Sequence, residues 1–114
     1  MFKLLGTSDD VTTCDCCGKR GLKMTVALDR DGEVVHFGRD CAGAALYGRK
    51  SAGNTDRVKF WAGWIAYARR TIAAGTDAAF AAAEDRLSRA GIEAARCGDE
   101  LMVRTPQGWT AVAA

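Results

Sequence analysis

Cys14-Asp15-Cys16-Cys17-Gly18-Lys19, answered further along by Gly38-Arg39-Asp40-Cys41, is the stretch on which the reading of the fold turns. Cys14 and Cys17 have the C-x2-C spacing that lets two thiolates curl around one metal ion, and Gly18 permits the tight turn that follows such a knuckle. Between the two motifs lies a self-contained hairpin able to carry Cys41 back to the same point. A thiolate-rich site holding one structural Zn2+ is the expectation. Three ligands are readily nominated: Cys14, Cys17 and Cys41. The last sits at a predicted helix N-terminus, where free N–H groups and the helix dipole favour a thiolate.

The fourth ligand stays open between two residues. His36 is the only histidine and gives the order C-x2-C-x18-H-x4-C, but it shares a strand face with Val34 and follows whichever side that residue takes. Cys16 is the alternative, inside the knuckle, although adjacent residues seldom both ligate one ion because their side chains diverge. A carboxylate such as Asp40 or a water is a lesser option, and plain reduced thiols with no metal are the bland reading. The chain has five cysteines, an odd count with four of them between residues 14 and 41, which suits a reduced, cytoplasmic, metal-bound protein better than a secreted disulfide framework.

Working outward, residues 2–5 and 11–13 read as short extended pieces around the polar turn Gly6–Asp10. Leu22, Met24, Val26 and Leu28 alternate as the inner face of a strand. Asp29-Arg30-Asp31-Gly32 is a hairpin turn, because Asp-Gly tolerates positive φ, and Glu33–Phe37 is the return strand. A short helix from Cys41 to Gly48 closes a first module at 1–48. After the polar linker 49–54, Asn54 or Thr55 caps a long helix reaching Ala74, with Val58, Trp61, Ile65, Ala68 and Ile72 on one stripe and Phe60, Trp64 and Tyr67 on a second. Gly75 and Thr76 separate it from another helix carrying Phe80, Ala83, Leu87 and Ala90, which Gly91 ends with Ile92 as the apolar contact. Glu100–Arg104 and Trp109–Val112 form a closing hairpin around Thr105–Gly108. The expected class is α+β: a zinc-stapled β-hairpin with a short helix, then two helices and a C-terminal hairpin at 49–114, packed as one domain.

The arrangement of knuckle, hairpin and a cysteine opening a helix resembles the treble-clef zinc finger. That family supplies a second C-x2-C pair at the helix start, and here Gly38 stands where the first of that pair would be. The wider pattern of Cys14-x2-Cys17-Gly18, Leu22-Lys23-x-Thr25-Val26 and Phe37-Gly38-x2-Cys41-Ala42 also resembles small proteins of bacteriophages of high-GC bacteria, over residues 13–47. The resemblance implies a zinc-binding protein encoded by a phage or mobile element and says little about activity.

Chemistry is the less favoured role. A zinc filled by four thiolates, or by three and an imidazole, has no open position, His36 lacks the neighbouring glutamate of a deaminase, and no phosphate loop or nucleophile–base set is visible. The chain is therefore read as not an enzyme. Sixteen basic against fourteen acidic residues leave a net charge of only +2, so any nucleic-acid binding must come from local clustering. Lys19, Arg20, Lys23, Arg39, Arg49 and Lys50 supply that cluster around the cysteines, interleaved with Asp15, Asp29, Asp31, Glu33 and Asp40. The alternative is a protein-binding adaptor or inhibitor of a host protein, in host takeover or anti-defence, suggested by Trp61, Trp64 and Trp109. Ala62, Gly63 and Ala66 would let a second copy approach, so the long helix is a candidate homodimer face. No apolar run is of membrane-spanning length, and Met1–Gly6 is too short for a signal peptide, so no membrane partner is expected. Cys97 reads as a separate thiol beside a turn.

Overall fold

The computed structural model describes residues 1–113 and bears out the α+β class. Strands β1 (Phe2–Ser8), β2 (Thr25–Arg30) and β3 (Glu33–Phe37) form one antiparallel sheet in the order β1-β2-β3. Helices α1 (Arg39–Tyr47), α2 (Ala52–Ile72) and α3 (Asp77–Arg89) follow, and β4 (Ala94–Cys97), β5 (Glu100–Thr105) and β6 (Gly108–Ala113) make a second antiparallel sheet in chain order. The chain forms two compact units, Met1–Ala62 and Gly63 onward, with α2 contributing to both.

In the first unit the hairpin turn is as its sequence requires. Arg30 pairs with Glu33, and the two residues between them, Asp31 and Gly32, both take positive φ (51° and 94°), the twist that matches a right-handed β-ribbon. Asp29 Oδ1 accepts from the Gly32 N–H at 2.8 Å and pins the turn. Val26 faces Phe37 and Leu28 faces Val35, and all four are buried. The expected two-stranded module is instead three-stranded. A bulge between Leu4 and Gly6 lets β1 run on through the presumed polar turn, so that Thr7 and Ser8 pair with Val26 and Thr25. Residues 11–13 form no strand. The run Leu22–Met24 does not join β2 either: the Leu22 N–H goes to Thr12 O at 3.0 Å, and Met24 is exposed rather than inward.

Gly38 precedes α1 in extended geometry, and Gly48 closes the helix in the left-handed region, its N–H donating to Ala44 O. Helix α2 starts earlier than Asn54: Ser51 caps it, accepting from the Asn54 N–H at 3.0 Å, while the Asn54 side chain donates to Arg49 O. Gly43 of α1 lies against that first turn. A Cβ there would meet Asn54 C at 3.2 Å and Thr55 N at 3.3 Å, so any larger residue would require the backbone of α2 to give way slightly. The buried stripe of α2 is Val58, Ala62, Ile65, Ala68 and Ile72, with Ala62 taking the place expected of Trp61, which is half-buried.

In the second unit Thr76 caps α3 through its hydroxyl, and the helix ends in a paired arrangement of N–H groups, Ile92 to Leu87 O and Gly91 to Ser88 O, as the Gly91-Ile92 dipeptide predicts. Phe80, Ala83 and Leu87 are buried, as are Leu101, Val103 and Val112 of the sheet. The expected C-terminal hairpin is present as β5 and β6, joined across Thr105 and Gly108, but it is widened by β4, which pairs Ala94 with Val103 and Cys97 with Glu100. No helix among the described residues is long and apolar enough to cross a membrane.

Candidate metal centre

The first unit gathers Cys14, Cys17 and Cys41 so that their sulfur atoms all lie within 4.8 Å of one another. Each arrives on a different piece of local structure. The knuckle closes as a turn, with the Gly18 N–H donating to Cys14 O at 2.8 Å and the Cys14 N–H to Lys19 O at 2.9 Å. Gly18 takes φ 77°, the conformation for which a glycine after the second cysteine is needed. Cys41 stands in the first turn of α1, delivered by the end of β3.

A second fastening fixes the knuckle to β3. The Asp15 N–H donates to His36 O at 2.7 Å, and the His36 N–H donates to Asp15 Oδ2 at 2.9 Å. His36 thus engages the knuckle through its backbone. Its neighbours Val35 and Phe37 point into the core, which turns His36 to the same side as the exposed Val34, and its ring is not among the grouped ligand atoms. Cys16 is exposed and close enough to Cys41 to raise its thiol, but its sulfur, like the His36 ring, is not among the grouped ligand atoms. Asp40 lies beside the cluster with Oδ1 accepting from Thr55 Oγ1 at 2.7 Å. Cys97 is exposed at the end of β4, in the other unit.

The electrostatics of the cluster are those of a cation site. Burial pushes the Cys14 thiol up, but hydrogen bonds from the backbone N–H groups of Gly38, Cys17 and Cys16, with the Cys17 thiol, outweigh it and bring Cys14 down to about 7. Cys41 moves the other way, to about 12, through burial, then through hydrogen bonds with the thiols of Cys17, Cys14 and Cys16, then through the negative charge on Cys14. One thiolate is therefore already favoured, and each further one is resisted by the first. A thiophilic cation bound among the sulfurs removes that repulsion and supplies the missing counter-charge. Soft sulfur donors, pre-oriented by N–H groups, are the right chemistry for such an ion.

Above the sulfurs opens a cavity of about 530 Å³ whose wall includes Lys19, Arg39, Lys50 and Lys59. Of the six cations singled out in the sequence, Lys19, Arg39 and Lys50 line it, whereas Arg20, Lys23 and Arg49 are exposed outside it. From sequence Lys59 is a cation of the long helix and not of the cluster around the cysteines, and only the seating of that helix's first turn on Gly43 brings it here. The part played by Asp15 is not legible there either, since an aspartate between two cysteines gives no sign that it clamps a strand. No protein-family model, curated protein or solved structure matches the chain.

Proposed function

We propose that this chain is a small non-catalytic zinc-binding protein that acts by binding nucleic acid. The observation that carries this reading is the three-cysteine cluster with cations on its rim, Lys19, Arg39 and Lys50 among them. Zinc is the ion that best suits buried thiolates outside a redox role; it binds each sulfur at about 2.3 Å in a tetrahedron, which spaces the sulfurs at about 3.8 Å. A cluster already within 4.8 Å needs only a small contraction to close on it. We assign Cys16 as the fourth ligand, because the knuckle that carries Cys14 and Cys17 also holds it beside the cluster, from where its exposed side chain would turn inward to reach the ion. Four thiolates leave zinc no free position, which makes it a structural ion and argues against catalysis.

The nucleic-acid part rests on exposed cations of the first unit, and its test is fluorescence anisotropy of labelled random-sequence DNA and RNA at increasing salt. Phosphate contacts predict an affinity that falls steeply and linearly on a logarithmic salt scale. Binding that ignores salt, or none at all, would remove this reading. Capture of a host protein is the second reading, favoured by Phe60, 48% exposed on α2 and stacked edge-on against Trp61. A complex that survives high salt and is lost in Phe60→Ala would speak for it.

A further inference from the structure

The cavity over the cysteine cluster is more than a metal site needs. We propose that it binds a phosphate monoester, the terminal phosphate of a nucleotide or of a nucleic-acid strand. This deepens the nucleic-acid reading and rests on it only for the source of the phosphate.

Four cations converge on one concavity from four separate places in the chain: Lys19 after the knuckle, Arg39 at the start of α1, Lys50 in the linker and Lys59 on α2. None of them forms an ion pair among the described residues. Arg30, Arg89, Arg96 and Arg104, by contrast, are each paired with a carboxylate. The one carboxylate in the cavity wall, Asp40, accepts from the Thr55 hydroxyl. Four cations without an ion pair thus line one concavity.

The thiolates below claim part of that charge. A zinc held by four thiolates carries two net negative charges, and with Asp40 that makes three against four cations. The remaining excess is small, but its placement matters. Lys50 and Lys59 also border an adjoining cavity of about 470 Å³, where the carboxylates of Asp40 and Asp56 stand beside them with Ser51, Ala52 and Thr55, and no cysteine lines that second space. These two lysines therefore face a volume beyond the metal cluster. A concavity of a few hundred Å³ matches a nucleotide-sized ligand, whereas a duplex backbone lies along an open face or stripe. Arg39 offers the planar fork that grips two phosphate oxygens, and the lysines offer point charges. A monoester, carrying close to two charges at neutral pH, suits a converging set of cations better than a singly charged diester.

The test uses the zinc-loaded full chain and a labelled single-stranded oligonucleotide prepared with a 5′-phosphate, a 3′-phosphate or hydroxyl ends. Adenosine monophosphate and inorganic phosphate serve as small probes in titration calorimetry. One phosphorylated end should bind about tenfold more tightly than hydroxyl ends, the worth of a charge-assisted contact. The Lys50→Ala/Lys59→Ala variant should lose that preference while keeping its zinc, and Arg20→Ala/Arg49→Ala should retain it. Binding of the monophosphate without any oligonucleotide binding sustains the cavity and removes the nucleic-acid reading. Equal binding of all ends, untouched by Lys50→Ala/Lys59→Ala, overturns the cavity proposal and leaves the nucleic-acid reading standing. Loss of zinc from Lys50→Ala/Lys59→Ala overturns it as well, because the lysines then serve only to balance the thiolates.

Discussion

Asp15 and His36 are joined twice, each donating a backbone N–H to the other, at 2.7 Å into the His36 carbonyl and at 2.9 Å into the Asp15 carboxylate. This pair continues the β-ladder sideways from β3 into the metal knuckle and holds Cys14 and Cys17 opposite the helix that carries Cys41. Only one of the two bonds uses a side chain, and that side chain belongs to Asp15. His36→Ala should therefore keep a full equivalent of zinc, whereas Asp15→Ala should lose about 1 kcal/mol of stability and bind zinc more weakly. Elemental analysis and chemical denaturation of the two variants check this. Zinc lost from His36→Ala alone would restore the imidazole as a ligand.

Removing a principal ligand is expected to do far more. Cys17→Ser leaves two grouped thiols, and because metal affinity in such a module is folding free energy, the first unit should lose both its zinc and its cooperative melt. Cys97→Ser, exposed and on β4, should change neither. A Cys17→Ser protein with a full equivalent of zinc and a native melt would refute the centre.

The proton balance of the site sets its pH dependence. Cys14 is lowered from 9.0 to about 7, so in the metal-free protein its ionisation contributes stability that is present above pH 9.0 and lost as pH falls through about 7. Cys41 is raised from 9.0 to about 12, so its contribution is present below pH 9.0 and lost as pH rises through about 12. Zinc must displace the Cys41 proton at any physiological pH, but above about pH 7 it no longer has to displace the one on Cys14. The logarithm of zinc affinity should therefore rise with pH, with a slope that drops by about one proton as pH passes through about 7. Competition against a chromophoric chelator across this range reads the slope directly, and an unchanged slope would contradict the assigned order of ionisation.

What the sequence made legible was whatever rests on local chemistry. The Asp31-Gly32 turn, the knuckle glycine and the Gly91-Ile92 helix end each depend on residues within one turn of the chain, and their spacing reveals them. The parts that eluded it depend on partners far away in sequence. Gly6 reads as a turn residue, and only its register against Ala27 makes it part of a bulged strand. Ala94-Ala95-Arg96-Cys97 has no strand signature of its own and is a strand because β5 lies beside it. Ala62 is buried where Trp61 was expected because the inward stripe steps by four rather than three residues after Val58, a choice that periodicity alone does not resolve. The same division runs through the site. The three cysteines were visible as a motif, while Lys59 and the Asp15 clamp follow from tertiary placement.

Gly43 marks one such placement that can be tested by adding a single carbon. Its ordinary helical backbone would accept alanine, and helix propensity alone would favour the change by up to about 1 kcal/mol. The Cβ, however, would press on Asn54 C at 3.2 Å and Thr55 N at 3.3 Å, both backbone atoms that move only if the first turn of α2 moves. Overpacking of this kind costs about 1–3 kcal/mol, so Gly43→Ala should be net destabilising and should also loosen the seat of Lys59 at the cavity. A denaturation midpoint equal to or above wild type would mean that the two helices separate freely.

Gly38 permits the opposite experiment, one that adds a ligand. Its φ of −62° is open to any residue, and a Cβ there would lie 3.5 Å from Leu22 Cδ1 and 4.0 Å from Cys14 Sγ, both ordinary contacts. A cysteine at this position would face the cluster and complete a C-x2-C pair with Cys41. If Cys16 is the fourth ligand, Cys16→Ser should weaken zinc binding by about 10–100-fold, leaving three thiolates and a water. Adding Gly38→Cys to Cys16→Ser should then restore the affinity, because the new thiolate comes from the strand–helix junction that already directs its N–H at Cys14. Cobalt substitution supplies the readout: four thiolates give intense tetrahedral d–d bands, and replacement of one by water weakens the sulfur-to-metal charge-transfer band. Wild-type spectra in Cys16→Ser itself would show that Cys16 does not ligate, and failure of Gly38→Cys to restore them would show that position 38 cannot reach the ion.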